Sequence, residues 1–176
     1  MRHPERPINT VNPIDSLIAV TDSTPLRLPP VRLQLRRQPD GTVQVFDPLR
    51  RRWVAYTPEE RVRQHFVAFL AGALHYPPGR MANEVSLSHN GRPRRCDTVI
   101  YDASAHPVAI IEYKAPSVAI NANVFDQILR YNMVLGTRWI IVSNGLDHYC
   151  CKADPSEPSD YRFHHDIPSY IELLQS

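Results

Sequence analysis

The chain has 176 residues, of which 43% are hydrophobic, and this suits one domain with a single buried core. Its formal net charge of +2 provides no overall positive field, so contact with nucleic acid would depend on local arginine clusters. Three cysteines without C-x-x-C spacing argue against a disulfide framework and a structural zinc site. No apolar run reaches the roughly 18 residues of a membrane span, so we expect a cytoplasmic protein without membrane contact.

The first 56 residues divide into two predicted parts. Residues 1–30 contain six prolines and no sustained periodicity, which predicts an extended arm laid on the core. Apolar and polar residues then alternate over 31–36, and Pro39-Asp40-Gly41 and Asp47-Pro48 mark turns before returning strands at 42–46 and 52–56. This pattern predicts an N-terminal antiparallel β-meander, which opens a single domain over residues 31–176.

The remaining elements predict a mixed α/β core at about residues 56–151. Thr57-Pro58-Glu59-Glu60 has a helix N-cap, a proline at N1 and a glutamate at N3, and apolar residues follow at helical spacing. A second helix is predicted from about Asn123 to Leu135, with Gly136 ending it. The remaining predictions are strands at 81–88, 96–101, 108–114, 139–142 and 146–151 and a C-terminal helix at 168–174. The fold class is α/β in an α+β order, with a central mixed β-sheet flanked by helices.

Two of these strands bring chemically active residues together. Glu112 and Lys114 project from the same face of one strand, because side chains alternate along it. If the turn pairs Tyr101 with Val108, Asp97 lies directly opposite Glu112. Two neighbouring carboxylates form a site for Mg²⁺, and the backbone carbonyl of Tyr113 is a candidate third ligand. We expect the metal to polarise a phosphate while Lys114 orients the attacking water or stabilises developing charge.

Asp97, followed after fourteen residues by Glu112-Tyr113-Lys114, resembles the motif of the PD-(D/E)xK nuclease superfamily, with Cys96 at the position of the motif's proline. The closer resemblance, over about residues 56–151, is to the N-terminal nuclease domain of the motor subunit of type I restriction endonucleases. Gln127 and Tyr131 match the Q-x-x-x-Y motif of that family, and their spacing places both on one helix face.

The resemblance implies a restriction-endonuclease-like core, with Asp97, Glu112 and Lys114 as catalytic residues and Mg²⁺ as cofactor, for which Mn²⁺ is expected to substitute. It also implies that Gln127 and Tyr131 support the site or contact DNA, and that Glu84 is an additional metal or supporting ligand. Glu60, in the helix that resembles the family's opening helix, has a second interpretation as the partner of Thr57 in a capping box.

Other polar clusters leave more than one interpretation open. Two arginine groups are candidate phosphate contacts, although exposed arginines are also ordinary: Arg50, Arg51 and Arg52, and separately Arg92, Arg94 and Arg95. For Glu84, an ion pair with Arg94 or Arg95 is the structural alternative. His164-His165-Asp166 is interpreted as a solvated loop, since adjacent histidines point to opposite faces of an extended chain.

The leading functional hypothesis is a Mg²⁺-dependent DNA endonuclease of restriction or defence type. The alternatives are a catalytically inactive module of the same fold that binds nucleic acid or a restriction-system partner, and a nuclease acting on branched DNA or RNA. The sequence has no G-x-x-x-x-G-K-[ST] loop, so no ATP site and no motor are expected in it, either as a standalone protein or as an excised domain. A second copy of the chain and restriction-system subunits are the expected partners.

Overall fold

The computed structural model describes residues 24–89, 92–153 and 161–175. A three-stranded antiparallel meander comes first, in the order β1 (Leu35–Arg37), β2 (Val43–Asp47) and β3 (Arg52–Ala55). The predicted meander is therefore confirmed, with a first strand that is shorter than the alternation of residues 31–36 suggested. No helix within the described ranges is long and apolar enough to cross a membrane.

The first helix, α1 (Pro58–Gly72), begins where the sequence predicted it. The Thr57 side chain accepts a hydrogen bond from the Glu60 backbone N–H at 3.1 Å, and Pro58 occupies N1. The capping-box interpretation of the Glu60 side chain is wrong, because the Thr57 N–H donates to the Ala55 carbonyl and the Glu60 carboxylate accepts from other side chains. The Glu60 carboxylate instead accepts hydrogen bonds from Arg50, Arg63 and Gln64.

A six-stranded mixed sheet forms the centre of the fold. After a 3-10 turn (Pro78–Arg80), its strands follow the order of the chain: β4 (Met81–His89), β5 (Arg92–Tyr101), β6 (Pro107–Tyr113), β7 (Trp139–Ser143), β8 (His148–Ala153) and β9 (Tyr161–His164). Strands β6 and β7 are parallel and the other neighbours are antiparallel. The parallel pair is joined by helix α2 (Ala122–Leu135), and helix α3 (Tyr170–Gln175) closes the described chain.

Helices cover both faces of this sheet. Ile111 and Ile141 pack with α1 and α3 in one apolar cluster, whereas Ile110 and Ile140 pack with α2 in the other. The alternation of faces along each strand therefore produces a helix–sheet–helix arrangement. Gly136 ends α2 in a left-handed conformation (φ 62°), as its position after the last apolar residue predicted.

Two predictions near the sheet edges need correction. The predicted pairing of Tyr101 with Val108 is wrong, because the register shifts after Ile100 and Tyr101 pairs with Pro107. His164 ends β9 instead of lying in a loop, and its ring contacts Trp139 edge-on at 5.3 Å between centroids. With only four residues, β9 is too short for its alternation of aromatic and polar residues to distinguish it from a loop in the sequence.

The segment before the meander packs on the core. Leu26 and Leu28 join the α1-side cluster, and the Arg27 N–H donates to the Gly145 carbonyl at 2.8 Å. These contacts agree with an arm laid on the core for residues 24–30, while residues 1–23 of the predicted arm lie outside the described residues.

Gly145 provides a test of this packing. An alanine Cβ at Gly145 (φ +84°) would lie 2.7 Å from Leu26 Cδ2 and 3.1 Å from Val62 Cγ2, whereas Gly41 (φ +86°) has open space around it. Both substitutions strain the backbone, and we expect Gly145→Ala to cost about 1–3 kcal/mol more than Gly41→Ala because of the overlap. Urea unfolding of the two variants measures the difference. Equal losses of stability would show that the Leu26 contact contributes nothing.

Candidate active site

The candidate site lies where β5 and β6 end their pairing. The last paired residues are Thr98 and Ile111, and one step beyond them stand Asp97 and Glu112. The Asp97 Oδ2 atom accepts a hydrogen bond from the Tyr113 N–H at 2.8 Å, which fastens its carboxylate to the strand that carries Glu112. The structure thus brings the two predicted carboxylates to adjacent positions despite the irregularity at Tyr101.

Glu112 is surrounded by donors on one side only. Lys114 Nζ donates to Glu112 Oε1 at 2.8 Å, and Gln127 Nε2 donates to the same oxygen at 2.5 Å. The other oxygen, Oε2, is buried and has no hydrogen-bond partner within the described residues. A buried carboxylate oxygen without a partner is costly, so this atom calls for a ligand that the side chains do not supply.

Helix α2 brings the Q-x-x-x-Y pair against the same group. Gln127 Oε1 accepts a hydrogen bond from Lys114 Nζ at 3.2 Å, and its amide nitrogen is 3.2 Å from the Tyr131 hydroxyl. Because Gln127 contacts both Glu112 and Lys114, it fixes the relative positions of the two side chains. The i, i+4 spacing that suggested a shared helix face in the sequence corresponds to a direct contact.

Burial sets the electrostatics of this site. Glu112 is 3% exposed, and burial, followed by the nearby Asp97 carboxylate, raises its pKa to about 7. Burial likewise raises the pKa of Asp97, although the Arg63 guanidinium and the Tyr113 N–H oppose the effect. Partial burial lowers the pKa of Lys114, but its hydrogen bond to Glu112 and the neighbouring carboxylates outweigh this and raise the pKa. Lys114 is therefore protonated, and it lies beside two carboxyl groups whose charged forms are disfavoured by burial.

The residues fit a hard divalent cation such as Mg²⁺. The Glu112 Oε2 atom, which has no hydrogen-bond partner within the described residues, is one candidate oxygen ligand. Each oxygen of Asp97 accepts a single hydrogen bond, so Asp97 also retains free lone pairs. No three His, Cys, Asp or Glu side chains within the described ranges are grouped closely enough to hold a metal by themselves. A magnesium ion here would therefore keep several waters, as it usually does, with phosphate or backbone oxygens replacing some of them.

The structure also brings in a residue that the sequence did not single out. Arg63 extends from α1, is 3% exposed, and donates from Nη2 to Asp97 Oδ1 at 2.9 Å. Its Nη1 atom lies 2.9 Å from Glu60 and 2.5 Å from Glu84. The available signal was a positive charge three residues after Glu60 on the side of the helix that carries Val62 and Phe66. Arg63 therefore joins Glu60 and Glu84 to the site indirectly.

The arginines of the two predicted clusters differ in their exposure and in their ion pairs. Arg50 is not available for phosphate contact, because its guanidinium pairs with Asp47 and Glu60 inside the protein. Arg51, Arg52 and Arg94 are exposed. Arg95 is also exposed, but it pairs with Glu84, as the structural alternative for that glutamate proposed. The side chain of Arg92 lies outside the described residues.

Comparisons with known proteins identify the family of the chain. Residues 58–168 match the family model described as the type I restriction enzyme R protein N terminus (HSDR_N). The match covers more than half of the chain, and the chain belongs to this family. No curated protein matches the sequence.

Two solved structures are similar to the chain. A fragment structure assigned to an HsdR subunit of a type I restriction enzyme from Vibrio vulnificus YJ016 superimposes with a TM-score of 0.50 at 15% identity, which supports the fold. The similarity covers 66% of this chain and 24% of that one, so the chain spans about a quarter of that relative. A DrdV–DNA complex solved by electron cryomicroscopy has 18% identity over 68% of this chain and 12% of that one, and its TM-score of 0.39 is too low to support a fold assignment.

Proposed function

We propose that this chain is a Mg²⁺-dependent DNA endonuclease of restriction type, whose catalytic residues are Asp97, Glu112 and Lys114. The observation that carries the proposal is the unpartnered Oε2 atom of Glu112, which is buried beside Asp97 while its sister oxygen is held by Lys114 and Gln127. Membership of the type I restriction R-protein family supports nuclease action in defence.

The proposed roles follow from the contacts. Asp97 and Glu112 would hold the ion, with the Tyr113 carbonyl as a further ligand, and the bound ion would polarise the phosphate and lower the pKa of a coordinated water. Lys114 is protonated and 18% exposed, so it can reach a water or a phosphate oxygen at the mouth of the site. Its charge would stabilise the negative charge that develops on the phosphate during in-line attack.

Exposed arginines provide sites for the DNA backbone. Arg51 immediately precedes β3 and Arg52 begins it, while Arg94 lies on β5 three residues before Asp97. Contacts of this kind position a duplex without reading its sequence. We therefore propose that Arg51, Arg52 and Arg94 bind phosphates, and that binding weakens as the salt concentration rises.

Incubation of supercoiled plasmid with the purified chain and Mg²⁺, in parallel with a chelator control, tests the function. We expect nicked and linear products with Mg²⁺ or Mn²⁺ and none with EDTA. Salt-sensitive DNA binding without cleavage would instead identify an inactive binding module, and cleavage of only RNA or branched DNA would overturn the choice of substrate.

Gln127 acts in this proposal as a positioning residue. Gln127→Ala removes the amide that contacts both Glu112 and Lys114, and we expect the cleavage rate to fall about 10–100-fold, as is typical when the support of a metal ligand is lost. Asn123→Ala, which removes an exposed amide one turn earlier on α2, serves as the matched control and should retain the wild-type rate. Equal rates for the two variants would contradict the role of Gln127.

A further inference from the structure

The Arg63 guanidinium lies at the centre of three carboxylates from three different elements. It contacts Glu60 on its own helix α1, Glu84 on β4 and Asp97 on β5, at 2.9, 2.5 and 2.9 Å. With 3% of Arg63 exposed, water contributes little to neutralising this group. The Arg63 guanidinium therefore offsets the negative charge of these converging carboxylates, a role that metal ions often have in proteins.

Every carboxylate oxygen of Glu60 and Glu84 is paired with a positively charged guanidinium. Glu60 Oε1 accepts from Arg50 at 2.6 Å and from Gln64 at 2.8 Å, while its Oε2 accepts from Arg63. The two oxygens of Glu84 pair separately with Arg63 and Arg95. The buried Glu112 Oε2 atom, by contrast, has no hydrogen-bond partner within the described residues. Asp97 and Glu112 instead each keep one oxygen without a cationic partner, namely Asp97 Oδ2 and Glu112 Oε2.

The backbone of Glu84 indicates how firmly this arrangement is held. Its φ of 59° lies in the left-handed region, within a strand and for a residue other than glycine. Such a conformation costs on the order of 1–3 kcal/mol and persists only where surrounding contacts hold it. The pairs with Arg63 and Arg95 are the contacts that hold the Glu84 side chain here.

The charges of the network leave room for one divalent cation. Five carboxylates take part: Asp47, Glu59, Glu60, Glu84 and Asp97. Three guanidiniums contact them: Arg50, Arg63 and Arg95. Two negative charges are left over, since Lys114 balances Glu112. One divalent cation neutralises this excess. Without Arg63 the excess would be three, and a second divalent cation would be favoured.

We propose that Arg63 takes the place of a second metal ion, so that the site binds one divalent cation at Asp97 and Glu112. This inference rests on the proposed metal-dependent function. Arg63 does not contact reacting atoms in this account. It is a positioning residue that neutralises Glu60 and Glu84 and orients Asp97 through one carboxylate oxygen.

Titration of the full chain with Mn²⁺ alone tests the inference, because the loss of the electron paramagnetic resonance signal of free Mn²⁺ counts bound ions without any cleavage assay. We expect one ion per wild-type chain, none for Glu112→Gln over the same concentration range, and two for Arg63→Ala. The double variant Arg63→Ala/Glu84→Gln also removes one of the carboxylates that lose their pair with Arg63, and it should again bind one ion. Arg63→Lys retains the positive charge and should also bind one.

The outcomes separate this inference from the proposed function. Two ions per wild-type chain, or one ion on a folded Arg63→Ala variant, would overturn the role of Arg63 while leaving the metal site standing. Absence of Mn²⁺ binding to the wild-type chain would overturn the metal site itself and the inference with it. Circular dichroism establishes whether Arg63→Ala is folded. If it is not, the wild-type count decides the matter, with one ion in favour and two against.

Discussion

Replacement of Glu112 by glutamine is expected to abolish Mg²⁺-dependent DNA cleavage while the protein stays folded. The amide keeps the shape of the side chain and an oxygen for Lys114 and Gln127, but it removes the charge and the vacant oxygen that would bind the ion. Loss of a metal that polarises the phosphate removes several kcal/mol of transition-state stabilisation, so the rate should fall by at least about 10³-fold.

Plasmid nicking under single-turnover conditions measures this loss, and circular dichroism verifies the fold. Asp126→Asn is a suitable control, because it also converts one carboxylate to an amide, at an exposed position on α2 adjacent to Gln127. We expect this variant to cleave at the wild-type rate. Comparable cleavage by Glu112→Gln and the wild type would remove Glu112 from the mechanism.

The second large effect is expected at Arg63, on stability. Arg63→Ala leaves Glu60, Glu84 and Asp97 without their shared cation in a buried setting. Removing one partner from a buried ionic network typically costs about 3–5 kcal/mol, because the remaining charges stay desolvated. Urea unfolding in metal-free buffer should therefore show a strongly reduced free energy of unfolding.

Arg95→Ala provides the matched comparison for Arg63. Arg95 pairs with the same Glu84, but its side chain is 68% exposed, whereas that of Arg63 is 3% exposed. Ion pairs in contact with solvent contribute about 0–1 kcal/mol, so Arg95→Ala should have a small effect. Similar losses for the two variants would indicate that burial of the Arg63 network does not determine its contribution.

Most of the fold could be predicted because its elements have strong local signals. The Thr57 cap and the helical spacing after it gave the start of α1, and Gly136 gave the end of α2. Strand β5 was harder, since Arg92–Arg95 extend it with polar residues that do not alternate with apolar ones. Short edge strands such as β9 depend on pairing with a neighbour more than on their own residues.

The residues of the candidate site also differ in how well local sequence patterns predict their positions. Asp97, Glu112 and Lys114 follow from strand alternation and a hairpin, and the Gln127–Tyr131 pair follows from helix spacing, so local geometry was sufficient for them. The partners of Arg50 and Arg63 come from elements distant in sequence, and no local pattern distinguishes a buried arginine from an exposed one. For this reason the sequence groups Arg50 with its exposed neighbours and does not single out Arg63.

A crystal of the full chain soaked with Mn²⁺ tests most directly the claim that Asp97 and Glu112 hold a divalent cation. Anomalous scattering locates manganese without reference to the protein atoms. We expect a single peak between the Asp97 and Glu112 carboxylates, with the Glu112 Oε2 atom as a ligand. A crystal saturated with Mn²⁺ that shows no peak at these carboxylates would contradict the claim.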